Sequence, residues 1–330
     1  MKRFLIIQPA FIGDVVLATV LIEKLHDLFP DSKIDFLLRK GNEDLLIDHP
    51  KLNRVIVWSK SEHKYLNLLK VIYQVRRKPY HLVINAHRFT TSGLISWLAR
   101  AREKVGFDKN PFAFSFTYKV NHDIGNGIHE VRRNLKLIEH LGGHNNYRPK
   151  LYFSENDQRR VNDLVSKPYV SLAPASVWFT KQMPKEKWAE LIERIPDHIF
   201  VCLLGGANDV HLCEQIALLS KRENVINLAG KLRMLESAAL MKSSLMNYSN
   251  DSAPMHFSSA VNAPTTAFYC STIPDFGFGP LSDESFVCQT NEALSCRPCG
   301  LHGKTACPEG HFKCGTNIDL PVFNEKVSSD

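Results

Sequence analysis

The feature that most constrains this chain is a repeated rhythm of short apolar runs and longer stretches with helical periodicity. Strand-like runs at 4–7, 33–38, 54–58 and 81–85 alternate with helix-like stretches at 14–28, 42–48, 65–77 and 91–101. Short strands at 105–107 and 118–120 follow, then a helix at 130–141 closed by Gly142-Gly143. Such alternation predicts βαβ units on a parallel sheet. The polar, turn-rich segment 143–155, with Pro149 inside it, reads as a linker. Beyond it the rhythm restarts, with helices at 156–165, 185–194, 209–220, 234–242 and 253–260 and strands at 169–173, 198–204, 225–227, 244–248 and 265–268. Two domains are therefore expected, 1–150 and 151–330, each a Rossmann-like α/β half whose strand ends offer a cleft.

Composition narrows the classes. With 330 residues, 44% hydrophobic and 23% charged, the chain is globular and long enough for two cores. No run approaches the ~18 apolar residues of a membrane span. Met1-Lys2-Arg3 leads straight into a strand, so a cytoplasmic protein is expected. The charge is uneven: the first 160 residues carry 27 basic against 16 acidic side chains, a net +11, and the rest carry 14 against 18, a net −4. A basic half suits an anionic partner or simply a solvated surface. The interleaved aromatics of a single-strand nucleic-acid binder are not evident, so no nucleic acid is expected as partner.

Chemistry-bearing residues fall at strand exits. In Gln8-Pro9-Ala10-Phe11-Ile12-Gly13-Asp14 a carboxylate follows the first strand and opens a helix, where Asp14 either faces a ligand or caps the helix. Ala173-Pro174-Ala175-Ser176, with Lys181 beyond it, offers a hydroxyl and an ammonium that could hold phosphate oxygens, or a plain turn. Gly205-Gly206 lets backbone approach a ligand but lacks the full dinucleotide spacing. Asn250-Asp251-Ser252-Ala253-Pro254-Met255-His256 passes from strand to helix, and Asp251, Ser252 and His256 together exceed what capping needs. Asn227-Leu228-Ala229-Gly230-Lys231 is a further strand exit, pocket or turn. No Asp-x-Asp pair occurs, so a metal-bridged diphosphate has no obvious ligands and leaving-group charge falls to Lys181 and helix N-termini.

Four of the eight cysteines, Cys296, Cys299, Cys307 and Cys314, lie within nineteen positions, with His302 and His311 among them. They supply enough ligands for a structural zinc, although the second half departs from paired Cys-x2-Cys spacing; free thiols are the competing reading.

Taken together these motifs resemble family 9 glycosyltransferases, the group typified by ADP-heptose:lipopolysaccharide heptosyltransferases. The resemblance covers nearly the whole chain. It rests on Phe11-Ile12-Gly13-Asp14-Val15-Val16, Ser176 with Lys181-Gln182-Met183-Pro184, Leu204-Gly205-Gly206, the Asn250–His256 run and Cys296-Arg297-Pro298-Cys299. It implies a GT-B fold of two Rossmann-like domains facing a central cleft, with the acceptor on the amino-terminal domain and the sugar nucleotide on the other. It also implies inverting transfer with no metal or other cofactor, from an ADP-sugar, plausibly ADP-heptose, to an anionic glycolipid. By this resemblance Asp14 matches the general base, Ser176 and Lys181 the donor-phosphate contacts, and the Asp251–His256 loop the donor segment. The basic half would then meet the acceptor through Lys60, Lys64, His129 and Arg132, with peripheral contact at the inner membrane face. Two departures stand out. Ala253-Pro254 replaces the Gly that many members carry after the Asp-Ser/Thr pair, and only sixteen residues follow Cys314. A nucleotide-sugar epimerase of the same fold and a non-catalytic, zinc-containing basic binding protein are the rival readings.

Overall fold

Two six-stranded sheets, all of whose strand pairings are parallel, carry the architecture of the computed structural model, which describes residues 1–60, 63–144 and 146–323. Residue 145, in the expected linker, and the last seven residues, 324–330, lie outside the described part. The chain divides into two compact units, Met1–Tyr152 and Phe153–Asp330.

In the first unit β1 (Arg3–Ile7), α1 (Ile12–Leu28), β2 (Lys33–Arg39), β3 (Arg54–Trp58), α2 (Lys64–Arg76), β4 (Tyr80–Asn85), α3 (Thr90–Leu98), β5 (Ala101–Phe107), β6 (Tyr118–Val120) and α4 (Glu130–Lys136) follow in order. The sheet order is β3-β2-β1-β4-β5-β6. β1 is central, so Phe4 to Ile7 are fully buried, which is why this strand reads as an unbroken apolar run rather than an alternation. α1 packs between sheet and α4 and buries every residue from Val15 to Leu25.

The second unit comprises α5 (Glu155–Leu164), β7 (Tyr169–Ala173), α6 (Lys185–Glu193), β8 (Phe200–Leu203), α7 (Val210–Ser220), β9 (Val225–Asn227), α8 (Met234–Ser243), β10 (Asn247–Asn250), α9 (Ala253–Ala260), β11 (Thr265–Tyr269), β12 (Ser285–Gln289) and α10 (Lys313–Thr316). Its sheet order, β12-β11-β10-β7-β8-β9, repeats that of the first unit strand for strand. Trp188 of α6 is fully buried and meets Phe268 of β11 edge to face at 5.2 Å between ring centres. Removing such a ring costs ~3–5 kcal/mol.

Several expected boundaries move. The helix expected at 42–48 is only a 3₁₀ turn, Glu43–Leu45, whose N-cap Asn42 makes no side-chain cap bond and donates instead to the Ala10 carbonyl, 3.2 Å away. The helix expected to reach 101 stops at Leu98, since Ala101 already pairs with Tyr80 in the sheet. The helix at 130–141 ends at Lys136 and resumes as a 3₁₀ turn, Glu139–Leu141. The strand expected at 244–248 runs instead over Asn247–Asn250. Its Asn-Tyr-Ser-Asn sequence hides it, because Asn247 satisfies its buried amide on the Met241 and Pro264 carbonyls, at 3.0 and 2.9 Å. β12, an exposed edge strand, was not expected at all.

Candidate functional site

In open sheets of this order, ligands bind beyond the carboxyl ends of the strands where the winding reverses. In the first unit that point lies between β1 and β4. Buried Gln8 ties the two exit loops together, its Nε2 donating to the Ala86 carbonyl at 2.9 Å. Asp14 is the third residue of α1 rather than its cap: the helix begins at Ile12, and Asp14 Oδ2 accepts the Phe11 backbone N–H at 3.2 Å. Capping is therefore part of what Asp14 does, and it leaves the other carboxylate oxygen for further work. Burial, and second to it the charge of Glu130, push the Asp14 carboxyl up to about 7, against the opposing pull of the Phe11 N–H, its own N–H and Arg39. A carboxyl so tuned is poised to take a proton near neutral pH.

Two of the four residues expected to meet an acceptor are linked to its surroundings. Lys60 Nζ donates to the Pro9 carbonyl at 3.0 Å, which brings it to the Asp14 loop. His129 caps α4, its Nδ1 accepting the Val131 N–H at 3.1 Å, and precedes Glu130, the neighbour that acts on Asp14. Lys64 opens α2 with its ammonium 5.8 Å from the Tyr65 ring centre, and Arg132 is exposed on α4; both stay at exposed helix positions. Sequence reasoning missed two residues here. Glu130 is buried and paired to buried Arg133 at 2.6 Å. His87, just beyond β4, lies 3.0 Å from Ser92 Oγ, and burial, followed by the charges of Lys60 and Arg88, lowers its pKa to about 4, so the ring is neutral. Its position at a strand exit was the available signal.

In the second unit the reversal falls between β7 and β10. Lys181, at the end of the 3₁₀ turn Phe179–Lys181, places Nζ 2.7 Å from Asp251 Oδ2, and Thr272 Oγ1 donates to that oxygen at 2.7 Å. Two of the expected donor residues are thus brought together as an ion pair. Asn250, whose role its place in the strand-to-helix run does not reveal, fixes the frame. Fully buried, it donates to the Pro174 carbonyl at 2.7 Å and accepts the Met183 N–H at 3.0 Å, binding the β7 loop to the end of β10 from both sides of Lys181. Ser176 is half-buried, and its carbonyl accepts Gln182 Nε2 at 2.5 Å. Ser252 is the N-cap of α9 but makes no side-chain cap bond, and His256 is buried one turn on. Gly205 and Gly206 serve their own turn: the Gly206 N–H donates to Asp209 Oδ2 at 2.8 Å, and a Cβ on Gly205 would stand 2.7 Å from the Asp209 Cβ. The Gly205 carbonyl also accepts the Gly230 N–H at 2.9 Å, which draws in the β9 exit.

The sequence leaves the cysteine segment 296–314 open between a structural zinc and free thiols. Among the described residues no group of three or more His, Cys, Asp or Glu comes together to hold a metal. All eight cysteines are free thiols; Cys314 is buried in the hydrophobic core with Cys270 and Cys213, while Cys296 Sγ lies 3.9 Å from His311 Nε2. Burial raises the Cys299 and Cys314 thiols, so neither is an activated thiolate. The segment instead braces the Lys181 turn. Thr180 N donates to the Lys304 carbonyl and Lys304 N to Thr180 Oγ1, at 3.1 and 2.8 Å, and Arg297 donates to the carbonyls of Cys270 and Thr272 at 2.7 and 2.9 Å.

Known proteins resemble this chain over most of its length. The family model of glycosyltransferase family 9 (heptosyltransferase) matches residues 68–306. Lipopolysaccharide heptosyltransferase 3 of Escherichia coli K12 is 28% identical over 281 residues, covering 79% of this chain and 80% of its own. Among solved structures, a family 9 glycosyl transferase from Veillonella parvula superposes with a TM-score of 0.79 at 21% identity, over 87% of this chain and 85% of its own. E. coli heptosyltransferase WaaC with ADP gives 0.74 at 22%, over 88% and 93%. At these identities the structural likeness speaks to the fold, which is that of the family's α/β enzymes.

Proposed function

Because the chain belongs to glycosyltransferase family 9 (heptosyltransferase), we propose that it transfers a heptose from an ADP-sugar to an anionic lipopolysaccharide-core acceptor, with inversion and without a metal. It is a glycosyltransferase. The reading assigns acceptor and base to the first unit and donor to the second. The acceptor hydroxyl attacks the anomeric carbon on the face opposite the diphosphate; its proton passes to Asp14, and the bond to the diphosphate oxygen breaks with its electron pair leaving as ADP. Lys181 and the N-terminus of α9, with Ser252 at its cap, would meet the charge that builds on that oxygen. Lys60, Lys64, His129 and Arg132 would face acceptor anions.

The observation that carries the reading is the Asp14 carboxyl, held at the winding reversal of the first sheet with its pKa lifted to about 7. ADP in the solved E. coli relative supports an ADP donor, and the names of the curated relatives support heptose and lipopolysaccharide. No helix of the described residues is long and apolar enough to cross a membrane, so the reading takes contact with a lipid-borne acceptor to be peripheral. The test is to incubate the protein with ADP-heptose and a deacylated inner-core oligosaccharide. ADP release that needs both substrates, with a glycan heavier by one heptose, is expected. An isomerised sugar formed without acceptor would overturn it.

A further inference from the structure

We infer that the outer face of α2 docks the enzyme onto an anionic phospholipid surface, an inference that rests on the lipid-borne acceptor of the proposed function. A helix packed on a sheet normally turns one apolar stripe inward and a polar face outward. α2 buries Val71, Ile72 and Val75, with Leu68 packed against the same core, yet its outer face is apolar too. Tyr65, Leu69 and Tyr73 recur every fourth residue along it with Leu66 beside them, and their exposures run from 58% for Leu66 to 76% for Tyr65. An exposed apolar stripe of this kind marks an interaction surface.

Charge complementarity selects the occupant. From residue 63 to residue 102 the chain has eight Lys and Arg and no Asp or Glu. Lys70, Arg77 and Lys78 are exposed on or just after α2, and Arg76 Nη1 reaches the Leu98 carbonyl on α3, next to half-exposed Trp97. Aromatic and leucine side chains fringed by cations, with no anion among the described residues from 63 to 102, match the interfacial region of a bilayer with anionic headgroups. The location suits the task. Strands β1 and β3 run in parallel, so α2 begins at the sheet edge where Asp14 sits, and Lys60 links the β3 exit to Pro9. A lipid lying under Tyr65 and Leu66 would present its headgroup sugar to that edge.

The test is co-sedimentation of the full chain with vesicles of phosphatidylcholine alone or with about a quarter phosphatidylglycerol. The wild type should bind the anionic vesicles and release with salt, and a Tyr65→Ser/Leu69→Ser/Tyr73→Ser variant should bind about tenfold more weakly. A Lys70→Glu/Arg77→Glu variant, which leaves every apolar side chain in place, should lose the preference for phosphatidylglycerol. Wild-type indifference to phosphatidylglycerol, or equal binding by the variants, would overturn the inference; so would a concentration-dependent dimer that the triple variant abolishes while no vesicle is bound. Transfer to a deacylated acceptor should be unchanged in both variants. Absence of transfer by the wild type would sink the transferase reading and leave the vesicle result to be judged separately.

Discussion

Lys181 Nζ lies 2.7 Å from Asp251 Oδ2, an ion pair that bridges the exits of β7 and β10, the two strands between which the second sheet reverses its winding. The pair is enclosed, Asp251 being 6% exposed, and Thr272 holds the same carboxylate oxygen. The carboxylate keeps the lysine's buried charge compensated.

That arrangement makes the two partners behave oppositely toward ADP. Lys181→Met should weaken ADP binding by ~1.5–3 kcal/mol, the worth of a charged hydrogen bond, read by calorimetry. Asp251→Asn releases the ammonium, so free ADP should bind at least as tightly as to the wild type. Equal losses in both variants would mean that the pair acts only as a structural brace.

The Asp14 carboxyl links rate to pH. With its pKa near 7, the deprotonated base accumulates as pH rises, so kcat/KM should climb through about pH 7 and then level. Glu130→Gln removes the neighbouring charge and should move that limb to lower pH. A limb near the ordinary carboxylate value in the wild type would contradict the assignment.

The same shift has a stability consequence of definite sign. The folded value of about 7 exceeds the ordinary carboxyl value of 3.8, so the folded state holds this proton more tightly than the unfolded chain. The associated stability is complete below about pH 4 and is lost as pH rises through 7. Asp14→Asn, neutral at every pH, should melt together with the wild type at pH 4 and above it at pH 8, by ~2 °C or more in a thermal scan.

Gly303 tests the link between the cysteine segment and the donor turn. A Cβ there would stand 2.4 Å from the Trp178 Cβ and 2.8 Å from the Lys181 Cγ. Gly303→Ala should therefore displace the turn, raising the KM for the sugar nucleotide several-fold and costing ~1–3 kcal/mol of stability in denaturant unfolding. An unchanged KM would separate the segment from the site.

Much of this was legible in the residues alone. The doubly repeated strand and helix rhythm locates every strand but β12, and strand-exit positions pick out Asp14, Lys181 and Asp251. What stayed hidden was set by tertiary partners. Asn247 and Asn250 hide the true bounds of β10 until their buried amides are seen to bond neighbouring carbonyls. Glu130 looks like a surface helix residue until Arg133 and Asp14 are placed beside it. The cysteines stay open between zinc and free thiols in the sequence because spacing along the chain says nothing of Cys314 being drawn into the core.

The central claim is that Asp14 takes the acceptor's proton, and the most direct measurement is single-turnover transfer by Asp14→Asn with ADP-heptose and a deacylated inner-core acceptor, paired with calorimetry of ADP-heptose binding. The account predicts a rate lower by ~10²–10⁴-fold with donor affinity essentially that of the wild type. Transfer at close to the wild-type rate, with donor bound equally well, would contradict it.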